Sequence, residues 1–435
     1  MKETLLVAMS MLNTVRRLSR ASVRTVRQEG VGSLVRKATM LVRGRVGDTA
    51  VAAVSLVSHR HELGKLPLMP QLADVLTVDL DKPAATPSLR EPGARLSIVW
   101  VTPPVGARGG GHTTISRFAK YFQAQGHDVS FAVYENNTMP QTSDAARAML
   151  KKSYGLDVDV VGMDELGGAD VIIATSWETA YGVYNAPDTA HKFYFVQDFE
   201  PSFFGVGSRY KLAEATYRFG FYGITAGKWL TQRVAEYGME ADWFDFGADL
   251  DVYAPPSGAV VTKKKQIAFY ARPSTERRGF ELGMLALEVF ANRHPEYEIV
   301  IFGSDLVGWH VPFPHTNLGL VEEHQLAEIY HESVACLVLS LTNVSLLPLE
   351  LVAAGCVAVV NEGENNTMVL GHVDGIEYTD ALPTSLAAGL SRAVERADAE
   401  SWAAHIAASV GDRSWQQGVE KVEKIIVGRV TGVAA

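Results

Sequence analysis

From residue 96 onward, short blocks of apolar residues alternate with stretches whose apolar positions recur every three to four residues. The blocks LSIVWV (96–101), VSFAVY (129–134), DVIIAT (170–175), KFYFVQ (192–197) and FYGITA (221–226) are nearly continuous runs of branched and aromatic residues, which predicts strands buried on both faces. After the first block, TTISRFAKYFQAQG sets Ile115, Phe118, Ala119 and Phe122 on one helical face and stops at Gly126. The same order then repeats: QIAFYA (266–271), YEIVIFG (297–303), ACLVLS (335–340) and VAVVN (357–361) read as strands, with helices predicted near 280–292, 322–332 and 348–354. Strands alternating with crossover helices predict parallel sheets covered by helices, so two such series predict two doubly wound α/β domains. The boundary is placed near Asp251, inside WFDFGADLDVYAPPSG, where prolines and a glycine follow a short polar run. This gives a first domain over 96–250 and a second over 251–410.

The first 95 residues have a different character. The net charge of the chain is −9, yet ten bases against two acids fall between Met1 and Val46. Leu12, Val15, Val23 and Val26 share one side of a helical wheel, and Arg16, Arg17, Arg20, Arg24 and Arg27 gather beside them. Residues 1–58 therefore read as a basic amphipathic helical extension, and the proline-containing stretch 59–95 as a connecting segment. Such a helix fits an anionic membrane face, where each nearby base contributes ~1 kcal/mol; a solvated helical face on the main body fits equally well. The apolar run 5–12 is too short to span a bilayer and lacks a small-residue cleavage site, so neither a span nor a signal peptide is expected. With two cysteines, both in apolar runs, a disulfide framework or zinc site is not expected, and a reducing cytoplasm fits, with the chain peripheral on the inner face of a membrane if the basic helices bind one. Basic residues confined to one end, without interleaved aromatics, argue against nucleic acid.

Several strand ends carry candidate chemistry. The loop 106–112 holds Gly109, Gly110 and Gly111 between a strand and a helix, where unpaired amides and the helix dipole favour an anion; a tight turn would use glycine too. It is not a Walker loop, nor a dinucleotide fingerprint. FYARPSTERRGFELG puts Arg272 just beyond a strand, with Arg277 and Arg278 following, and guanidinium forks suit a diphosphate. Glu350 is a lone acid in the apolar stretch 341–361, in the first turn of a helix opened by Pro348, either as a helix-start residue or as an acceptor for sugar hydroxyls. Asp198 and Glu200 either approach a substrate or cap the turn before Pro201. The pairs DVD (157–159) and DLD (249–251) have the spacing of a metal-binding motif, but such pairs arise readily by chance, so no metal is expected.

Together these residues resemble the family-four nucleotide-sugar glycosyltransferases of the GT-B architecture. PLELVAAGCVAVV is similar to that family's donor segment, with Glu350 and Gly355 at its spacing; FYARPSTER resembles its arginine followed by a second base, here Arg272 and Arg277; GGGH resembles its acceptor-domain glycine loop; FGADLDVYAP resembles its linker; NLGLVEEHQLAEIYHESVACLVLS resembles the base side of its donor pocket. The resemblance spans about residues 96–396. Members usually carry a second glutamate eight positions earlier, where this chain has Thr342, and a histidine where it has Gln197 or Asp198. These departures, with QDFEP and ARPS, resemble bacterial rhamnosyltransferases that use dTDP-L-rhamnose to build rhamnan or S-layer glycans.

The resemblance implies two Rossmann-like domains facing across a cleft, with helices around 411–430 returning to the first. It implies a retaining, metal-independent hexosyl transfer from a nucleotide sugar to a glycan or lipid-linked glycan, with no further cofactor. Arg272, Arg277 and Asp198 are the implied catalytic residues. Gly110, Gly111, His112, Gln197, Glu200, Arg278, Gly303, Leu318, Thr342, Ser345, Leu346 and Glu350 are the implied substrate-binding ones. A nucleotide-sugar hydrolase or epimerase of the same architecture, or a non-catalytic subunit of glycan assembly, would share many of these features.

Overall fold

The computed structural model describes residues 70–433 apart from 108, 136–139, 256–261, 345 and 412. The basic extension, the start of the connecting segment and Ser345 lie outside the described residues. From 70 to 95 the chain is mostly irregular and is held on the first sheet's periphery, for example by Gln71 N donating to Tyr134 Oη (2.8 Å) and Arg90 N to Val430 O (2.9 Å).

Two parallel sheets follow, as the two series of apolar blocks predict. The first contains β1 (Ser97–Thr102), β2 (Asp128–Val133), β3 (Asp159–Val161), β4 (Val171–Ala174), β5 (His191–Val196), β6 (Tyr222–Ala226) and β7 (Ala241–Phe244), in the order β3-β2-β1-β4-β5-β6-β7. The second contains β8 (Gln266–Tyr270), β9 (Glu298–Phe302), β10 (Thr316–Gly319), β11 (Ala335–Val338), β12 (Val357–Asn361) and β13 (Ile376–Thr379), in the order β10-β9-β8-β11-β12-β13. Central strands such as β4 and β11 are buried at every position, which is why they read as unbroken apolar runs. Helix Trp415–Thr431 leaves the second sheet and packs on β7 and on helix Gly110–Ala124 of the first, with Ala248 N donating to Arg413 O at 3.0 Å. Among the described residues no helix is long and apolar enough to cross a membrane.

In both sheets the strand order reverses beside the first strand, between β1 and β4 and between β8 and β11. Loops at the carboxyl ends diverge at such a switch point and leave a crevice. Here the two crevices face one another across a cleft of about 1090 Å³, lined from the first sheet by Gly110, Glu178 and Asp198 and from the second by Arg272, Gly303 and Val344.

The helix carrying Glu350, Leu347–Ala353, is closed by a Schellman turn. Cys356 N bonds to Leu351 O (2.8 Å) and Gly355 N to Val352 O (2.9 Å), with Gly355 at φ +71°. A Cβ on Gly355 would lie 2.8 Å from the backbone oxygen of Ala403. Gly355→Ala is therefore expected to lower stability by about 2 kcal/mol, through a strained left-handed alanine and the displaced helix Ala399–Ser409, read as a fall in melting temperature.

Candidate active site

The glycine loop is pinned at both ends by one side chain: Tyr154 Oη donates to Gly106 O (2.6 Å) and accepts from Gly109 N (3.0 Å). Gly109 caps helix Gly110–Ala124 without a side chain, so the first amides of that helix stay open toward the cleft, which Gly110 and Gly111 line. A Cβ on Gly111 would come within 3.4 Å of the Gln197 amide, whereas one on Gly110 would meet nothing within 4 Å. Gln197 also lines the cleft. His112 does not; its ring lies against Tyr154 (centroids 6.1 Å apart), and burial pushes its imidazole below the usual value, so it is neutral at pH 7.

On the facing sheet, β8 ends at Tyr270 and the chain turns through Arg272, Arg277 and Arg278. The three arginines differ in how far they are committed. Arg278 is half-buried at the cleft wall and donates through Nη1 to Ser340 Oγ (2.6 Å), so it buttresses the loop after β11. Arg277 pairs with Asp198 (Nε to Oδ2, 3.2 Å) and its guanidinium lies 3.9 Å from the Phe203 ring centroid. Arg272 makes one long contact, Nη1 to Gly303 O at 3.5 Å, and is the arginine left free to meet a ligand. Gly303, at φ +99°, lies so close to Tyr270 that a Cβ would collide with that ring at 2.7 Å.

Asp198, 8% exposed, joins the domains. Its Oδ1 accepts from Asn343 N (2.8 Å) and Phe199 N (2.8 Å), and its Oδ2 from Thr342 Oγ1 (3.0 Å) and Arg277. Asn343 Nδ2 adds bonds to Gln197 O (2.9 Å) and Ala226 O (3.0 Å). Thr342 thus faces Asp198 and is not among the residues lining the cleft. Asp198→Ala strands Arg277 and three donors at the interdomain seam. It is expected to cost about 2 kcal/mol, a fall of about 4–8 °C in melting temperature, and to enlarge the radius of gyration in small-angle scattering as the domains part. Glu200 is 4% exposed and committed inside the first domain, accepting from Trp177 N (2.6 Å) and Tyr194 Oη (3.1 Å); burial and the neighbouring Glu178 carboxyl push it well above the usual carboxylate range. Leu346 lines the cleft, whereas Leu318 stands on edge strand β10 outside it; Leu320 and Val321 line the cleft in its place.

Glu350 lines the cleft at 9% exposure, and its carboxyl has no hydrogen-bond partner among the described residues. Burial first, then the Asp249 charge, pushes its pKa up to about 8 against the opposing pull of Arg117. Around it stand Tyr253 and Tyr330, ring centroids 5.5 Å apart, and then Phe302 and Tyr270. Arg117, Glu178 and Tyr330 are cleft residues that the sequence reading passed over. A signal existed for Arg117, since Thr113, Arg117 and Lys120 lie at i, i+4 and i+7 on the face opposite Ile115, Phe118 and Phe122, and all three line the cleft. No group of three His, Cys, Asp or Glu side chains placed to hold a metal occurs among the described residues.

Residues 131–225 match the family described as WsaF, N-terminal domain, and residues 265–391 that described as WsaF, C-terminal domain, together just over half of the 435 residues. The chain belongs to the WsaF family and has the GT-B fold. It is 32% identical over 358 residues, 79% of its length, to the O-antigen biosynthesis protein RfbC of Myxococcus xanthus, and it spans 28% of that relative. Its fold is also that of Anabaena Alr3699/HepE, solved in complex with UDP and glucose (TM-score 0.60, 12% identity, 76% of this chain and 99% of that one). Sucrose-phosphate synthase from Thermosynechococcus elongatus is similar to the same extent (TM-score 0.58, 13% identity, 76% and 98%). At these identities the two structures speak for the GT-B fold alone; the WsaF C-terminal match includes Arg272, Arg277, Arg278 and Glu350, whereas the N-terminal match begins after the glycine loop.

Proposed function

We propose that this glycosyltransferase moves L-rhamnose from dTDP-L-rhamnose onto a growing cell-surface or cell-wall glycan, with retention of anomeric configuration and without a metal. The observation that carries a diphosphate-linked donor is the convergence of open helix amides at Gly110 and Gly111 with Arg272 from the opposite sheet, in a cleft also lined by Glu350, whose carboxyl has no hydrogen-bond partner among the described residues. A nucleoside diphosphate bridging these points would set its ribose hydroxyl on Glu350 and its phosphates under Arg272.

As the sugar–phosphate bond breaks, negative charge builds on the phosphate oxygens. Preorganised donors aimed at that charge lower the barrier, and each is typically worth 10²–10³ in rate. Arg272 and the loop amides hold those positions, and Arg277 is kept beside them by Asp198 and Phe203. The rhamnosyl assignment is supported by the departures at Thr342 and Gln197, and the glycan acceptor by the likeness to the O-antigen biosynthesis protein.

Calorimetry with dTDP-L-rhamnose, UDP-glucose and GDP-mannose tests the reading. Micromolar binding of the thymidine donor, lost in Glu350→Ala and Arg272→Ala, is the expected result. Tighter binding of another donor would overturn the sugar assignment, and donor breakdown at full rate without acceptor would favour a hydrolase or epimerase.

A further inference from the structure

Three polar groups that line the cleft around Glu350 have no hydrogen-bond partner among the described residues. The Glu350 carboxyl accepts no hydrogen bond among the described residues; Tyr330 Oη is buried, in a residue of 0% exposure, with no partner; Arg117 Nη1 is buried with no partner. Buried polar groups are almost always hydrogen-bonded, so a cluster of orphans lining one corner marks a place where a ligand completes the bonding. The first two belong to the second domain. Arg117 comes from helix Gly110–Ala124 of the first.

Arg117 is also held still. Its Nη2 pairs with Asp249 in the segment joining the two sheets, and its guanidinium lies 4.3 Å from the ring centroid of Trp415, at the start of the returning C-terminal helix. Two fixed contacts orient the guanidinium plane and leave Nη1 as a free donor. A cluster of aromatic rings, Tyr253, Tyr330, Phe302 and Tyr270, in tilted and edge-on contact, forms an apolar wall beside these polar atoms, which suits a base and a furanose.

Resting on the donor reading above, we propose that Arg117 is a positioning residue for the donor's nucleoside. Its Nη1 and the Tyr330 hydroxyl complete, with Glu350, a grip on the nucleoside that includes the acceptor-side domain. Bound donor would then tie the first domain to the second at the point where Arg117, Asp249 and Trp415 meet, so that donor binding fixes the interdomain angle.

The test measures binding of dTDP, UDP and GDP, and separately of inorganic pyrophosphate, to the full chain and to Arg117→Met, Arg117→Lys and Tyr330→Phe. Tyr330→Phe preserves ring packing and therefore serves if Arg117→Met fails to fold. The expected result is a loss of about tenfold or more in affinity for whichever nucleoside diphosphate the parent binds, in both Arg117→Met and Tyr330→Phe. Pyrophosphate affinity should change less than about twofold, and Arg117→Lys should recover part of the loss. Equal losses for pyrophosphate and nucleoside diphosphate would reduce Arg117 to a hinge support and overturn the proposal, as would no loss for either. Failure of the parent chain to bind any nucleoside diphosphate would instead overturn the donor reading, and this inference with it.

Discussion

Arg272→Ala is expected to lower kcat/KM for the donor by on the order of 10²–10³ while leaving the melting temperature nearly unchanged. The argument rests on the unequal commitments of the three arginines. Arg278 is bonded to Ser340, and Arg277 to Asp198 and the Phe203 ring, so removing either also disturbs the loop after β11 or the interdomain seam. Among the described residues Arg272 has only the 3.5 Å contact to Gly303 O, too long to support much of the fold. Its loss should therefore appear almost wholly as lost transition-state stabilisation. Arg272→Lys should recover part of the rate, because an ammonium supplies charge without the fork that meets two phosphate oxygens. Steady-state kinetics beside thermal unfolding separates these effects; an Arg272→Ala enzyme within about threefold of the parent would remove Arg272 from the phosphate site.

The fold was legible wherever burial is two-sided. All nine strands expected from apolar blocks are present, and the four left unread, β3, β7, β10 and β13, are the four sheet edges. Edge strands here are three or four residues long and partly exposed, as in TNLG of β10, so they lack the continuous apolar run that marks the others. The site was legible as position, since charged residues just past a strand's carboxyl end in a doubly wound fold fall at the crevice. What the sequence withheld was commitment. Whether Asp198 is a free acid or a seam residue depends on Asn343, 145 residues away, and Glu200 is consumed by a backbone amide and a buried tyrosine that no local pattern reveals. For Arg117 the helical face was legible, but its commitment was not: its partners Asp249 and Trp415 are brought to it by the linker and by the returning C-terminal helix.

Glu350 should make both stability and donor binding depend on pH. In the folded, empty protein its pKa is pushed from the ordinary 4.5 to about 8 by burial and by the Asp249 and Glu323 charges, with Arg117 opposing; Tyr253 and Tyr330, the other titratable groups beside it, are themselves pushed upward by burial and stay neutral in this range. Below about pH 4.5 the carboxyl is protonated in folded and unfolded chains alike. As pH rises from there the unfolded chain releases this proton and the folded one keeps it, so stability falls, and the fall levels off once the folded group ionises near pH 8. At 1.36 kcal/mol per unit the loss is on the order of 5 kcal/mol, and Glu350→Gln, which cannot ionise, should escape it. The gap in melting temperature between Glu350→Gln and the parent should therefore widen from pH 5 to pH 8. A donor whose ribose hydroxyl bonds to the carboxylate favours the ionised form, so at pH 7 binding should release up to one proton, visible as a dependence of the calorimetric heat on the buffer's own ionisation enthalpy. Affinity should climb from pH 6 toward pH 8 in the parent and stay flat in Glu350→Gln. Binding without proton release and with a flat pH profile in both proteins would mean that Glu350 does not meet the nucleotide as a carboxylate.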